Sequence, residues 1–392
     1  MNFKRANPLR TALAFVRKSN VAAATAIVRA TLSRIKAHAK KLRVTRAPSP
    51  KRPVIKRRYP LGEVVRTLRG SSKAFRSQTG EKKVSAHDTL PSKGEFLSHV
   101  FEHEGGKLNY MLYVPRKKAG IDLSLLLMLH GCTQDPQDFA LGTQMNLLAD
   151  EFGFLVAYPH QARTANSSGC WNWFDRRHQQ HGRGEPAMLA GLTKSLMRKF
   201  NIGARRAYAA GLSAGGAMAE ILATTYPNQF EAVGIHSGLP YGAAGSAMAA
   251  IGAMRRGAKS ERPRVAKKAL NSRRIVFHGT SDKIIHHSNG ERIVSHMRED
   301  TANLVERRST SDINGRSVTR IVLDDANGRP MVEHWIVEGA GHAWFGGDTR
   351  GTYTDTKGPD SSREMLRFFL DIPGSRHDPK ISGFDDAEVV CD

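Results

Sequence analysis

Gly211-Leu212-Ser213-Ala214-Gly215 is the segment of this 392-residue chain whose residue types and spacing speak most directly of chemistry. It follows an apolar run and opens an Ala-rich stretch, so Ser213 is expected on a tight strand-to-helix turn. Glycines on both sides let crowded backbones pass. The helix N-terminus favours negative charge developing at the serine. That arrangement suits a nucleophile of acyl transfer. Ser237 and Ser281 are rivals, but neither has glycines on both sides at this spacing. His130-Gly131-Cys132-Thr133 directly follows a second apolar run. A backbone N–H of Cys132 or Thr133, together with that of Ala214, would form a pair of donors for an oxyanion.

A nucleophilic serine needs a histidine base, and the base needs an orienting carboxylate. After such a turn they are expected in the order acid, then histidine. Asp282 stands just past the apolar run 274–278, in Phe277-His278-Gly279-Thr280-Ser281-Asp282. Asp324 and Asp325 also stand near a strand end, but Asn327-Gly328 follows them and marks a hairpin turn. His342 lies in the Gly-rich stretch Gly339-Ala340-Gly341-His342-Ala343-Trp344. His334 falls inside a strand pattern, while His278, His286 and His287 surround the acid as local hydrogen-bonders. His236, near the serine turn, is a candidate to line the site. The expected constellation is Ser213, Asp282 and His342.

Cys132 and Cys170 could form a disulfide bracing the site entrance, or remain two thiols; Cys391 reads as free. Trp171, Trp173 and Trp344 are candidates to line a substrate groove, with core packing as the alternative. No Cys/His spacing supports zinc, so no metal is expected, and the chemistry calls for no cofactor.

These residues need a scaffold. Strands are expected over 109–114, 123–129, 154–158, 206–210, 232–236, 274–278, 318–323 and 334–337, with helices over 137–151, 185–200, 214–225 and from Ser361, where Ser361 and Glu364 fit a capping box. Alternating strands and helices imply a mostly parallel central sheet with helices on both faces. The Ala/Gly-rich and then basic stretch 243–268 reads as a cap or a mobile loop.

Charge separates this region from what precedes it. The formal net charge is +24, but residues 1–93 carry 24 Lys/Arg against three acids, and 94–392 carry 36 against 33. The first segment thus holds +21 and the remainder +3. The expected domains are a basic N-terminal extension over 1–93, a catalytic domain over 94–375 and a tail over 376–392. Within the extension, 9–42 fits a basic amphipathic helix and 44–93 a Pro-punctuated linker. Such a tail suits an anionic polymer or membrane surface. Three cysteines exclude a disulfide-dense scaffold, and no apolar run reaches the roughly 18 residues of a membrane span.

With LHGCTQDPQDFA (129–140), SGCWNWF (168–174), AGLSAGGAMAEILATTYPNQFEAVGIHSGLPYG (210–242), VFHGTSDKIIHHSNG (276–290), GAGHAWFGG (339–347) and YTDTKGPDSSREMLRFFL (353–370), the sequence resembles the poly(3-hydroxybutyrate) depolymerase family of esterases over roughly 95–372. The resemblance implies an α/β-hydrolase fold and serine esterase chemistry on polyester or small acyl esters, with feruloyl or acetylxylan esters as the alternative. It carries the nucleophile onto Ser213, the acid onto Asp282 and the base onto His342. It also implies an extracellular protein. The N-terminal apolar stretch, broken at Arg17-Lys18, does not fit a standard secretory signal, so a cytoplasmic location is the alternative. A reading from another class makes the hydrolase region a scaffold for an anionic-surface or nucleic-acid binding protein.

Overall fold

A computed structural model describes residues 93–103, 106–116, 123–259 and 272–372. The helix expected over 9–42, the linker over 44–93 (save Lys93), the tail over 376–392 and Cys391 lie outside the described residues.

The core of the fold is a ten-stranded sheet. Its strands are β1 (Glu95–His103), β2 (Gly106–Val114), β3 (Leu125–Leu129), β4 (Leu155–Pro159), β5 (Ala207–Leu212), β6 (Phe230–His236), β7 (Arg273–Gly279), β8 (Val305–Ile313), β9 (Arg316–Asp324) and β10 (Pro330–Val337). They lie in the order β1-β2-β4-β3-β5-β6-β7-β10-β9-β8. The central strands β4, β3, β5, β6, β7 and β10 run parallel. The β1–β2 hairpin and the β9–β8 hairpin extend the sheet antiparallel on either side. A small parallel pair, β11 (Trp344–Phe345) and β12 (Thr354–Asp355), stands apart.

The continuous apolar runs follow from burial on both faces. In β3, Leu125, Leu127 and Leu129 enter one apolar cluster, while Leu126 and Met128 enter the other. The first cluster is closed by α3 (Gly184–Lys199) and α4 (Ala214–Thr225), through residues such as Leu189, Leu192, Met218 and Ile221. The second is closed by α1 (Pro136–Thr143), α2 (Met145–Phe152) and α7 (Ser361–Phe369), through Phe139, Leu148, Met365 and Phe368. α5 (Ala247–Arg256) and α6 (Ser288–Asp300) complete the α-helices among the described residues.

Several local expectations change. The helix expected over 137–151 is two helices, broken at Gln144, whose φ of 54° cannot continue α1 and whose N–H closes that helix on the Ala140 carbonyl. Asp360, not Ser361, caps α7: its carboxylate accepts the Arg363 N–H at 3.0 Å, and Ser361 is the first helical residue. The stretch expected as a cap or loop contains α5, capped by the Ser246 hydroxyl on the Ala249 N–H. β1 and β8 escaped the pattern because they are mostly exposed outer strands without a clean alternation.

Candidate active site

β5 ends at Leu212 and α4 begins at Ala214, so Ser213 alone makes the turn, at φ 58° and ψ −116°. An L-residue avoids that region, and structures hold it only where their surroundings over-determine it. Here the Ser213 N–H donates to the His236 carbonyl at 2.9 Å. Close backbone approach explains both glycines. A Cβ at Gly215 would sit 1.9 Å from the Leu129 oxygen, and one at Gly211 would sit 2.4 Å from the Gly215 carbonyl carbon. Both obstacles are main chain and cannot rotate away. Gly215→Ala should therefore push α4 off β3 and cost about 3 kcal/mol of stability; a urea titration with the midpoint unmoved would remove the argument.

The loop after β3 is held by His130. Its Nδ1 lies 2.8 Å from the Gly131 carbonyl, and the Gln161 N–H points at its Nε2 from 3.2 Å. The ring thus carries its proton on Nδ1 and is neutral, with burial pushing its pKa down to about 4. Cys132 and Cys170 are joined by a disulfide, tying this loop to the segment ahead of Trp171. That segment is pinned by Glu185, whose carboxylate accepts from the Asn172 N–H and side chain and from the Gln161 side chain. The expectation for Thr133 needs correction. Its N–H already donates to the Ser168 carbonyl at 2.9 Å, so it is not an open donor. Of the two loop amides, Cys132 remains. Ala214 heads α4, so its N–H has no partner within the helix.

Asp282 follows β7 and His342 follows β10, and their strands run parallel to β5. All three residues therefore leave the sheet at its carboxyl end, where ligands of open parallel sheets bind. Asp282 Oδ1 accepts the N–H groups of Ile284 (2.9 Å) and Ile285 (2.8 Å), and Oδ2 lies 2.7 Å from His342 Nδ1. Burial alone would raise this carboxyl, but His342, by charge and hydrogen bond, together with the nearby His278 outweighs it and holds the pKa well below the usual carboxylate range. His278 closes the same loop by donating from Nε2 to the Ile285 carbonyl at 2.9 Å; its 3.6 Å approach to Asp282 is too long for a hydrogen bond.

His236 does not line the site. It is fully buried and acts as a strut: its carbonyl takes the Ser213 N–H, and its Nε2 accepts the Phe345 N–H at 3.2 Å, just past His342. The tryptophans are likewise behind the site. Trp171, Trp173 and Trp344 are 1%, 5% and 1% exposed. Trp344 packs on His236 and Phe139 and donates to Ser362 Oγ, and the other two belong to the apolar core. His286 and His287 bond to Ser288 and Glu291. Asp324 pairs with Arg307, and Asp325 closes the hairpin by accepting from Asn327 and Arg329.

Buried neutral histidines make stability depend on pH. Burial lowers His130 to about 4 and His334 to about 3, and holds His236 well below its ordinary value. Above about pH 6.5 both folded and unfolded forms are neutral, so these groups contribute nothing. Below it the unfolded chain binds protons the folded chain refuses, and stability falls by up to ~1.4 kcal/mol per pH unit for each histidine. Urea midpoints should decline between pH 6.5 and 5, and His334→Gln should flatten the slope; an unchanged slope in that variant would refute the assignment.

The profile of the family described as esterase PHB depolymerase matches residues 108–309. Similar proteins include poly(3-hydroxyalkanoate) depolymerase C of Paucimonas lemoignei, 28% identical over 60% of this chain and 58% of its own. Feruloyl esterase B of Neurospora crassa is 35% identical over 33% of this chain and 43% of its own. The chain thus spans about half the length of these curated relatives. Among solved structures, an acetyl xylan esterase from Aspergillus awamori shares the fold, an α/β-hydrolase arrangement, with a TM-score of 0.54 at 17% identity, over 71% of this chain and 99% of that one.

Proposed function

Because the chain belongs to the esterase PHB depolymerase family, we propose that it hydrolyses carboxylic esters by two-step acyl transfer through Ser213, His342 and Asp282. The observation that carries this reading is the 2.7 Å contact of Asp282 with His342 Nδ1, at the sheet end where the strained Ser213 turn stands. Asp282 keeps the His342 proton on Nδ1 and leaves Nε2 as the base. Nε2 takes the Ser213 proton as the hydroxyl attacks the ester carbonyl. The Cys132 and Ala214 amides donate to the resulting oxyanion. His342 then protonates the leaving alcohol. Water, deprotonated in turn by His342, splits the acyl-enzyme and releases the acid.

The substrate class rests on the relatives: polyesters and small acyl esters first, feruloyl and acetylxylan esters next. The extension over 1–93, with its net +21, is assigned to an anionic polymer or membrane surface, where it would hold the enzyme near its work. A fluorophosphonate probe tests the core of the proposal. One equivalent should attach to Ser213, read by peptide mass, and hydrolysis of p-nitrophenyl butyrate should cease in proportion. Inactivation with the label on another residue would reject Ser213.

A further inference from the structure

Tyr353 is a residue the chemistry above does not use, and its backbone is held as firmly as that of Ser213. Its φ is 54°, a region a bulky side chain avoids. Neighbours on both sides impose it. The Tyr353 carbonyl accepts the Trp344 N–H at 2.7 Å, at the β11–β12 pair. On the other flank, Thr352 donates its N–H to Asp138 at 2.8 Å, and its carbonyl accepts from Gln134 at 3.0 Å. Next to it Gly351 packs against the Gly142 backbone, where a Cβ would meet main chain at 2.4 Å. Strain maintained by this many contacts marks a side chain whose direction matters.

The side chain points to the base and to the loop that carries the Cys132 amide. Its ring meets the His342 ring edge-on, with centroids 6.4 Å apart, and its hydroxyl lies 3.4 Å from Thr133 Oγ1 on the oxyanion loop. Thr133 spends its own hydroxyl proton on the Cys132 carbonyl. The phenol is therefore the donor in the contact with Thr133. At 3.4 Å that contact is long, and the proton is easily redirected to a better acceptor. Thr133 is exposed and Tyr353 is partly so, so the pair faces a ligand rather than the core.

In acyl transfer the tetrahedral carbon carries the serine oxygen, the oxyanion, the leaving oxygen and the acyl chain. His342 must reach the leaving oxygen to protonate it, so a group beside its ring stands on the leaving-group side of the reacting carbon. We infer that Tyr353 is a specificity residue that reads the alcohol half of the ester, donating a hydrogen bond to an oxygen carried by that half one or two carbons beyond the scissile bond. This inference rests on the assignment of Ser213 and His342 above.

The test uses two acetates of nearly equal shape, 2-hydroxyethyl acetate and n-propyl acetate, with Tyr353→Phe in the full chain. Phenylalanine keeps the ring against His342 and removes only the hydroxyl. The ratio of kcat/KM for the hydroxyethyl ester to that for the propyl ester should fall about 5- to 10-fold relative to the unmodified protein, the worth of one modest hydrogen bond. Because both esters are measured on one preparation, partial misfolding cancels from the ratio. A ratio unchanged within twofold overturns the role of Tyr353 and leaves the serine mechanism standing. If Ser213→Ala, assayed alongside, hydrolyses both acetates like the unmodified protein, the mechanism itself fails and Tyr353 loses its role with it.

Discussion

Ser213→Ala will lower kcat for p-nitrophenyl butyrate by about five to six orders of magnitude while the protein stays folded. The size follows from the unit in which the hydroxyl acts. Without it the base has no proton to take and no covalent intermediate forms, so only oxyanion stabilisation and substrate positioning remain. The fold should survive for local reasons. Ser213 contributes its N–H, not its hydroxyl, to the bond with the His236 carbonyl, and alanine keeps that N–H. The positive φ costs alanine about what it costs serine. Thermal unfolding within about 2 °C of the unmodified protein, with the activity gone, is the expected pair of readings. Activity retained within tenfold would take the nucleophile away from Ser213.

Asp282→Asn should cost about 10⁴ in kcat, and the hydrogen bonds say why. One carboxylate oxygen accepts two backbone N–H groups, from Ile284 and Ile285, and the other faces His342. Asparagine has one accepting oxygen. If it stays on the two amides, the NH₂ group faces His342 and forces the imidazole proton onto Nε2, the tautomer that cannot take a proton from serine. If the amide flips, the two loop N–H groups lose their acceptor. Either way the variant should bind substrate while turning it over slowly, and a kcat within tenfold of the unmodified enzyme would remove Asp282 from the mechanism. The pKa of Asp282 is held below its ordinary value. Its ionisation therefore adds stability above about pH 4, lost only as pH falls through the lower folded value. Loss of activity in mild acid consequently belongs to groups other than this carboxylate.

The sequence spoke clearly where the controlling contacts are local or repeat with a fixed period. The apolar runs of β3 and β6 are continuous because both faces are buried. The helix expected over 214–225 has those bounds in the structure, since the turn at Ser213 marks its start. The chain order of strands ending at Gly211-Leu212, Gly279 and Val337 brings Ser213, Asp282 and His342 to one end of the sheet. What stayed hidden depends on distant partners. Nothing near Thr133 announces that its amide belongs to Ser168. Asp360 competes with Ser361 for the cap of α7, and both are good capping types, so only geometry decides. Trp171 and Trp173 stand in a stretch rich in polar and glycine residues, which suggests a surface, yet the neighbouring Asn172 and Glu185 carry the polarity and the indoles turn inward. Tyr353 lies in a matching segment without a spacing signal, because its place beside His342 comes from the pairing of β11 with β12.

The open sheet has a consequence for how the molecule behaves in a crowd. Among the described residues it does not close on itself, and β1 and β8 lie at its two margins. Each is long, nine residues, and each exposes an apolar side chain: Leu97 and Val100 on β1, Val305 on β8. Such a margin can recruit a strand from another chain. Charge counters this. β1 carries Glu95 and Glu102, and β8 carries Glu306, Arg307, Arg308 and Asp312. A second copy stacking edge to edge would bring some of these into like-signed contact and strip water from others. Neutralising substitutions on these border strands are therefore expected to promote association between copies while leaving turnover, set at the carboxyl end of the central strands, unchanged.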